Sequence, residues 1–337
     1  MTSRLKSLIG TILLLVCGSF SIVYAQGTGN LSGLDLSLSA VSPNPGQEIT
    51  ITAKSYSLDI NGATITWTSG GKTLGKGVGL TSLVVKAPSL GKTQTINVTA
   101  ASADGTTYRN SIVITSSSVD MVVESDGFVP PLFRGKAPVA YQNKVKVTAI
   151  PHLANSSGVE YDPVKLVYKW EQSTKVLESG SGYGRQSVTI PGSIIPRPYI
   201  INVTVTTPDG SVRGTGSVSV VPDVPSVELY RTDSLYGPLY NSAAGNTIYL
   251  GTQRETGVTA APYGFNVPES GVGTLSLAWV INNIVHPELA GNKTVTLRAP
   301  DNTSGQSSVH INVLNGDYEL QQGSAGFTAI FNSGSNQ

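Results

Sequence analysis

Over most of the chain, apolar and polar residues alternate with a period of two in short runs, among them Thr64-Ile-Thr-Trp67, Leu166-Val-Tyr-Lys-Trp170 and Leu275-Ser-Leu-Ala-Trp279. Runs of this kind, rich in Val, Ile, Thr and Tyr and bounded by Gly, Pro and Asp-Gly, predict half-buried β-strands. No stretch keeps the ~3.6-residue period of an amphipathic helix. The runs also recur in order. Each Trp is followed 21 residues later by a proline, Pro88, Pro191 and Pro300, and 29, 31 or 32 residues later by Ile-Asn-Val, at 96–98, 201–203 and 311–313. Trp-to-Trp separations of 103 and 109 residues set the repeating unit, and three such units account for the chain beyond its first segment.

About seven short strands in ~100 residues, with Trp on a middle strand, is the pattern of an immunoglobulin-like sandwich. The Trp is expected between the sheets, with Ile and Val of Ile-Asn-Val facing it and the Asn facing water. Asp104-Gly105 and Asp209-Gly210 are the pairs that suit a type I′ hairpin, whose two central positions need positive φ. In the third unit the turn signal, Asn315-Gly316, falls only four residues after Ile311, so its last hairpin is expected to be re-registered or extended. The expected organisation is a leader over 1–25 and modules over 31–118, 119–222 and 226–332. The junctions are read at Val119–Pro131 and, with Pro222 and Pro225 limiting its freedom, at 221–226. The resulting spacer is expected to be semi-rigid.

The middle unit, with Tyr168-Lys-Trp170-Glu, Pro198-Tyr199-Ile-Ile-Asn-Val-Thr-Val205 and Pro208-Asp-Gly-Ser211, resembles a PKD domain, an Ig-like module of surface proteins. As a whole the chain resembles secreted bacterial proteins built from tandem Ig-like or PKD-like modules. That resemblance implies an all-β fold and a role at the cell surface, and it names no ligand.

The first 25 residues read as a signal peptide: Arg4 and Lys6, an apolar run from Leu8 to Ile22, and Val23-Tyr-Ala25 before the cut. Lipidation at Cys17 is an alternative, but Val16 stands where a small residue is normally required. The apolar run is also shorter than the ~20 residues of a spanning helix. The expected product begins at Gln26, carries no cysteine and contains no membrane span.

Charge narrows the functions open to it. Only 13% of the 337 residues are charged, 22 basic against 21 acidic, so no field draws in nucleic acid. A single Cys and three His exclude cysteine-based zinc sites, iron–sulfur clusters and a disulfide framework. No Gly-x-Ser-x-Gly is present, and Gly70-Gly-Lys-Thr-Leu-Gly75-Lys-Gly77 lacks the Ser or Thr of a phosphate loop and reads as a hairpin. His152, His286 and His310 do not converge. Asp120, Glu124 and Asp126 gather at the first junction, where the alternatives are calcium and plain solvated charge.

The densest aromatic stretch lies in the third unit, running from Leu229 to Asn241 and again from Ala261 to Phe265. Arg231, Tyr236, Tyr240, Tyr263 and Phe265 are the candidate binding residues, with Tyr230 among the same aromatics. Exposed, they would stack on sugars or dock a protein; buried, they would seal the sandwich edge. The function expected is that of a non-enzymatic exported structural or adhesive protein, its modules presenting a partner-binding surface at the cell envelope. The alternative is a carbohydrate-binding protein using the third-unit aromatics. The partner is a cell-envelope or surface protein, or a polysaccharide; no cofactor, metal or nucleic acid is called for.

Overall fold

A computed structural model describes residues 33–250, 254–267, 275–301 and 303–332; the expected leader and Cys17 lie outside them. Apart from three single-turn 3-10 segments, the regular structure of these residues is strand, arranged as three tandem immunoglobulin-like sandwiches. Of these residues, those within 33–37, 52–83 and 97–112 form one compact unit, and those within 38–51, 84–96 and 113–332 another.

The N-terminal third contains β1 (Asp35–Leu38), β2 (Glu48–Lys54), β3 (Thr64–Ser69), β4 (Lys72–Val78), β5 (Ser82–Lys86), β6 (Thr93–Ala101) and β7 (Thr107–Thr115). Its sheets are ordered β1-β2-β5 and β4-β3-β6-β7. Next come β8 (Ser118–Ser125), β9 (Val145–His152), β10 (Val167–Gln172), β11 (Lys175–Val176), β12 (Gly182–Tyr183), β13 (Ser187–Ile190), β14 (Tyr199–Thr206) and β15 (Arg213–Val220). They form sheets β13-β9-β8 and β11-β10-β14-β15, with β12 also on β10. The last sandwich has β16 (Ser226–Asp233), β17 (Gly237–Ala243), β18 (Thr247–Tyr249), β19 (Glu255–Tyr263), β20 (Leu275–Ile281), β21 (Ile284–Val285), β22 (Thr294–Arg298), β23 (Gly305–Asn315) and β24 (Gln322–Phe331). These build sheets β17-β16-β19-β22 and β18-β24-β23-β20-β21.

The three tryptophans are equivalent. Each is fully buried, and each indole N–H donates at 2.9 Å to a carbonyl in the loop beyond, that of Leu80, Arg185 or Asn292. A buried indole needs such a partner, so the loops are tied to the cores. In all three Ile-Asn-Val segments the Ile and Val are buried while the Asn is not. Trp67 and Trp170 lie opposite Val98 and Val203, whereas Trp279 lies opposite Ile311, a slip of two residues. A slip of two keeps every side chain on its own face, so the third core tolerates it.

The turns differ from expectation. At Asp104-Gly105 and Asp209-Gly210 only the glycines have positive φ (89° and 71°), so neither is type I′. The N–H of Gly105 donates to the Ser102 carbonyl, that of Gly210 to the Thr207 carbonyl, and each aspartate accepts from a backbone N–H two residues on. The aspartate thus acts as a turn cap and the glycine as a left-handed residue closing a longer loop. The tight turns with two positive φ angles are Gly70-Gly71, between β3 and β4, and Asn282-Asn283, between β20 and β21. Asn315-Gly316 makes no tight turn: a loop over 316–321 joins the long strands β23 and β24, and the Asn315 side chain is buried.

The stretch read as the first junction is also different. Ser118–Ser125 pairs along its whole length with Val145–His152, so Pro130 and Pro131 sit in a long loop between β8 and β9. Asp120 pairs with His152 and Glu124 with Lys146, both at 3.6 Å, while Asp126 accepts from the Lys144 N–H. These exposed pairs on neighbouring strands account for the acidic residues there.

That loop joins the second sandwich to the third. Gly127 bridges Asn266, the Phe128 N–H donates to the Phe265 carbonyl at 2.7 Å, and the Gly264 N–H returns to the Phe128 carbonyl at 2.9 Å. Behind this short ladder lie the side chains of Asn143, Asn266 and Gln321, all buried. Asn143 donates to the Gly264 carbonyl (3.0 Å) and to the Asn266 side chain, and accepts from the Ala140 N–H. Gln321 accepts from the Asn266 N–H and donates to the Tyr141 carbonyl, both at 2.8 Å. Each amide satisfies groups that burial would otherwise leave unpaired at about 1–3 kcal/mol apiece.

Trp170→Ala and Trp279→Ala are each expected to cost about 3–5 kcal/mol, read as a lowered midpoint in urea unfolding; an unchanged midpoint would contradict their central place. Gln321→Leu orphans the Asn266 N–H and the Tyr141 carbonyl. Calorimetry should then resolve separate melting of the second and third sandwiches where the parent should give one merged transition, and a merged transition in the variant would mean that the amides do not join them.

Candidate functional site

Strand β16 turns Val227 and Leu229 into the third core, which by alternation points Tyr230 outward. Tyr230 is nonetheless only 7% exposed, because other rings cover it. One comes from β17. Thr232 pairs with Pro238 and Tyr230 with Ala243, so residues 239–242 stand opposite Arg231 alone. A bulge of this size re-aims side chains, and here it lays Tyr240 edge-on against Tyr230, centroids 5.1 Å apart. The phenol oxygens of Tyr230 and Tyr263 share a hydrogen bond at 2.7 Å. Tyr263, at the end of β19, meets Phe133 edge-on at 5.6 Å. Phe133 belongs to the β8–β9 loop, so the chain of rings Phe133–Tyr263–Tyr230–Tyr240 is assembled from both sandwiches.

The loop reaches this position through the Phe128 ladder and through Lys293, whose ammonium lies 5.1 Å over the Phe128 ring. It then turns sharply: the Phe133 N–H donates to the Pro130 carbonyl, and Leu132 has φ 64°. Pro131 presets the first central position of a type II turn, but the second normally takes Gly. A leucine there costs about 1–2 kcal/mol in strain, and its side chain is 97% exposed. Between this turn and the β17 bulge runs a groove of about 700 Å3. Prolines 130, 131 and 238 wall it with Leu132 and Leu239, and Arg134 and Asn241 bring polar groups to it.

Of the residues expected from the sequence, Tyr240 and Tyr263 come together in the groove. Tyr236 does not line it; it stands 79% exposed beside Leu235 on the β16–β17 turn. Asp233 holds that turn by accepting from the Leu235 and Tyr236 N–H groups, and these bonds, the one from Tyr236 foremost, keep its carboxyl below the usual range. Arg231 points to the opposite side of β16 from Tyr230, its guanidinium 3.5 Å from the Tyr249 carbonyl. Phe265 is corrected from a binding residue to a core one: it lies past the end of β19, beyond Gly264 at φ 77°, and is fully buried in the core that holds Val227, Trp279 and Val313. Phe133 was missed. Its signal was the Pro-Pro-Leu-Phe run, which is out of place in a simple connection.

Among the described residues no group of three or more His, Cys, Asp or Glu could hold a metal ion, and no helix is long and apolar enough to cross a membrane. No protein-family model matches the chain, and no curated protein matches it. Solved structures overlap it loosely. The three N-terminal domains of the bacteriophage RB49 Highly Immunogenic Outer Capsid protein share 14% identity over 89% of this chain and 98% of theirs, at a TM-score of 0.25. The Clostridium thermocellum CbhA fibronectin(III)-like modules share 14% over 56% of this chain and 94% of theirs, at 0.27. Bacteroides ovatus SGBP-B, solved with a mixed-linkage heptasaccharide, shares 12% over 89% of this chain and 70% of its own, at 0.25. Scores this low assign this chain neither ligand nor partner.

Burial, and then the bond to Tyr230, hold the Tyr263 phenol above its ordinary 10.0. The fold thus favours the neutral phenol, so this stabilisation is whole below about pH 10 and is lost as the pH rises towards the folded value. Unfolding free energy measured in urea should fall above about pH 10, and Tyr263→Phe should flatten the fall. Part of the slope should remain, since burial and then the Asp162 charge push Tyr168 up to about 12. An unaltered slope in the variant would show that Tyr263 is not shielded.

Proposed function

We propose that this chain is a non-enzymatic exported structural or adhesive protein whose second and third sandwiches present the aromatic groove to a partner at the cell envelope. The observation that carries this reading is the Pro130–Phe133 turn. Core packing has no use for a leucine held at φ 64° with almost its whole side chain in water. Strain of this kind persists where the surrounding structure imposes it, and it concentrates at binding sites. The rings beside it are held by one another before any ligand arrives, which reduces the ordering cost of binding. The groove's lining offers Arg134, Asn241 and phenols but no carboxylate, histidine, serine or cysteine. That set suits recognition and gives hydrolysis no acid–base pair or nucleophile.

Leu132→Gly separates fold from function. Gly relieves the strain, partly offset by the ~0.5–1 kcal/mol of backbone freedom it adds to the unfolded chain, so melting should stay level or rise slightly. Binding to envelope fractions should fall at least tenfold, as it should in Tyr240→Ala, where loss of an interface anchor costs about 2 kcal/mol or more. Undiminished binding by both variants would remove the groove from the function.

A further inference from the structure

Leu239, at the bulge, borders two clefts. On one side is the aromatic groove; on the other is a second cleft of about 470 Å3 in the third sandwich, lined also by Arg231, Asp233, Glu255, Thr232 and Thr294. The character changes abruptly across this one side chain, from rings and prolines to hydroxyls and charges. At the second cleft three strands contribute a ladder of threonine hydroxyls: Thr232 to Thr259 at 2.6 Å, and Thr259 to Thr294 at 2.7 Å. Thr259 is buried, so the ladder runs from one cleft-lining hydroxyl across the Tyr230 face of the sheet to another. Hydroxyls chained in this way polarise one another, which strengthens the bonds that the end members make.

We propose that the two clefts are adjoining subsites for a neutral polysaccharide, an assignment that rests on the groove being a binding surface. A sugar ring has an apolar C–H face and a rim of hydroxyls that both donate and accept. The face suits Tyr240 and Leu239, and the rim suits carboxylate, guanidinium and threonine hydroxyl. Arg134 in the groove and Arg231 in the polar cleft stand against Asp233 and Glu255, so the joined lining has no net positive charge to draw in an anionic polymer. The polar cleft is also ill-suited to the apolar side chains by which a peptide would anchor itself. Two subsites sharing one wall call for an extended ligand that passes across Leu239. Arg231, on the far side of β16 from the rings, thereby acquires a role that the aromatic groove alone does not give it.

The experiment is calorimetric titration of the full exported chain with soluble neutral glucans, mannans and galactans, with alginate and a proline-rich peptide as the competing chemistries. At least one neutral glycan should bind. Tyr240→Ala should weaken it at least tenfold and Glu255→Gln about threefold to tenfold, with melting of both variants close to the parent's. Thr294→Val is a second probe of the polar cleft, independent of charge, and should act in the same direction. Absence of neutral-glycan binding at millimolar concentration overturns the proposal, as does preference for alginate or the peptide, or equal glycan binding by all three variants. If envelope fractions still bind through Leu132 and Tyr240 while no glycan does, the glycan assignment fails and the groove reading stands. If neither binds, both fail.

Discussion

The buried amides of Asn143, Asn266 and Gln321 are the constraint on which the rest of the second and third sandwiches depends. Hydrophobic contact between two modules is indifferent to small slides and rotations. Buried amides are not, because each displaced donor or acceptor loses its partner with no water to replace it. The only cysteine, Cys17, lies in the expected leader, so no disulfide is at hand to do this work. The Phe128–Phe265 ladder and the linker prolines Pro222 and Pro225 act in the same sense, the first by direction and the second by restricting φ.

That join is what allows a site to be made from both modules. Phe133 comes from the loop between β8 and β9, and Tyr230, Tyr240 and Tyr263 come from β16, β17 and β19. A ring chain spanning two freely hinged bodies would have to be assembled at each binding event, at the entropic cost of ordering them. Here the order is already present. The β17 bulge and the strained Leu132 are local departures from good strand and turn chemistry, and both occur where the groove is walled.

The repeated Trp and Ile-Asn-Val framework shows how much variation the scaffold absorbs. The third copy pairs its Trp two residues out of step and extends its last hairpin, yet keeps the buried face intact. Period-two alternation makes even slips harmless and odd slips ruinous, so divergence is confined to the loops and to shifts of two. The same freedom lets the β8–β9 loop grow into a contact with the next module.

What the sequence determined by itself is whatever its local periodicity encodes. The strands, the three tryptophans, the inward Ile and Val and the outward Asn all follow from alternation, which each segment carries without reference to the others. The aromatic density around Tyr230, Tyr240 and Tyr263 was legible for the same reason, as composition. Only the tertiary structure decided which rings share a surface. Phe265 lies only two residues beyond Tyr263, the last residue of β19, yet past Gly264 with its positive φ it is sealed in the core while Tyr263 meets Phe133 from a distant loop. Arg231 and Tyr240 are close in sequence and lie on different sides of β16 because a bulge intervenes. A bulge, a loop that crosses to a neighbouring module and an amide buried between modules are long-range outcomes, since burial depends on what arrives from elsewhere in the chain.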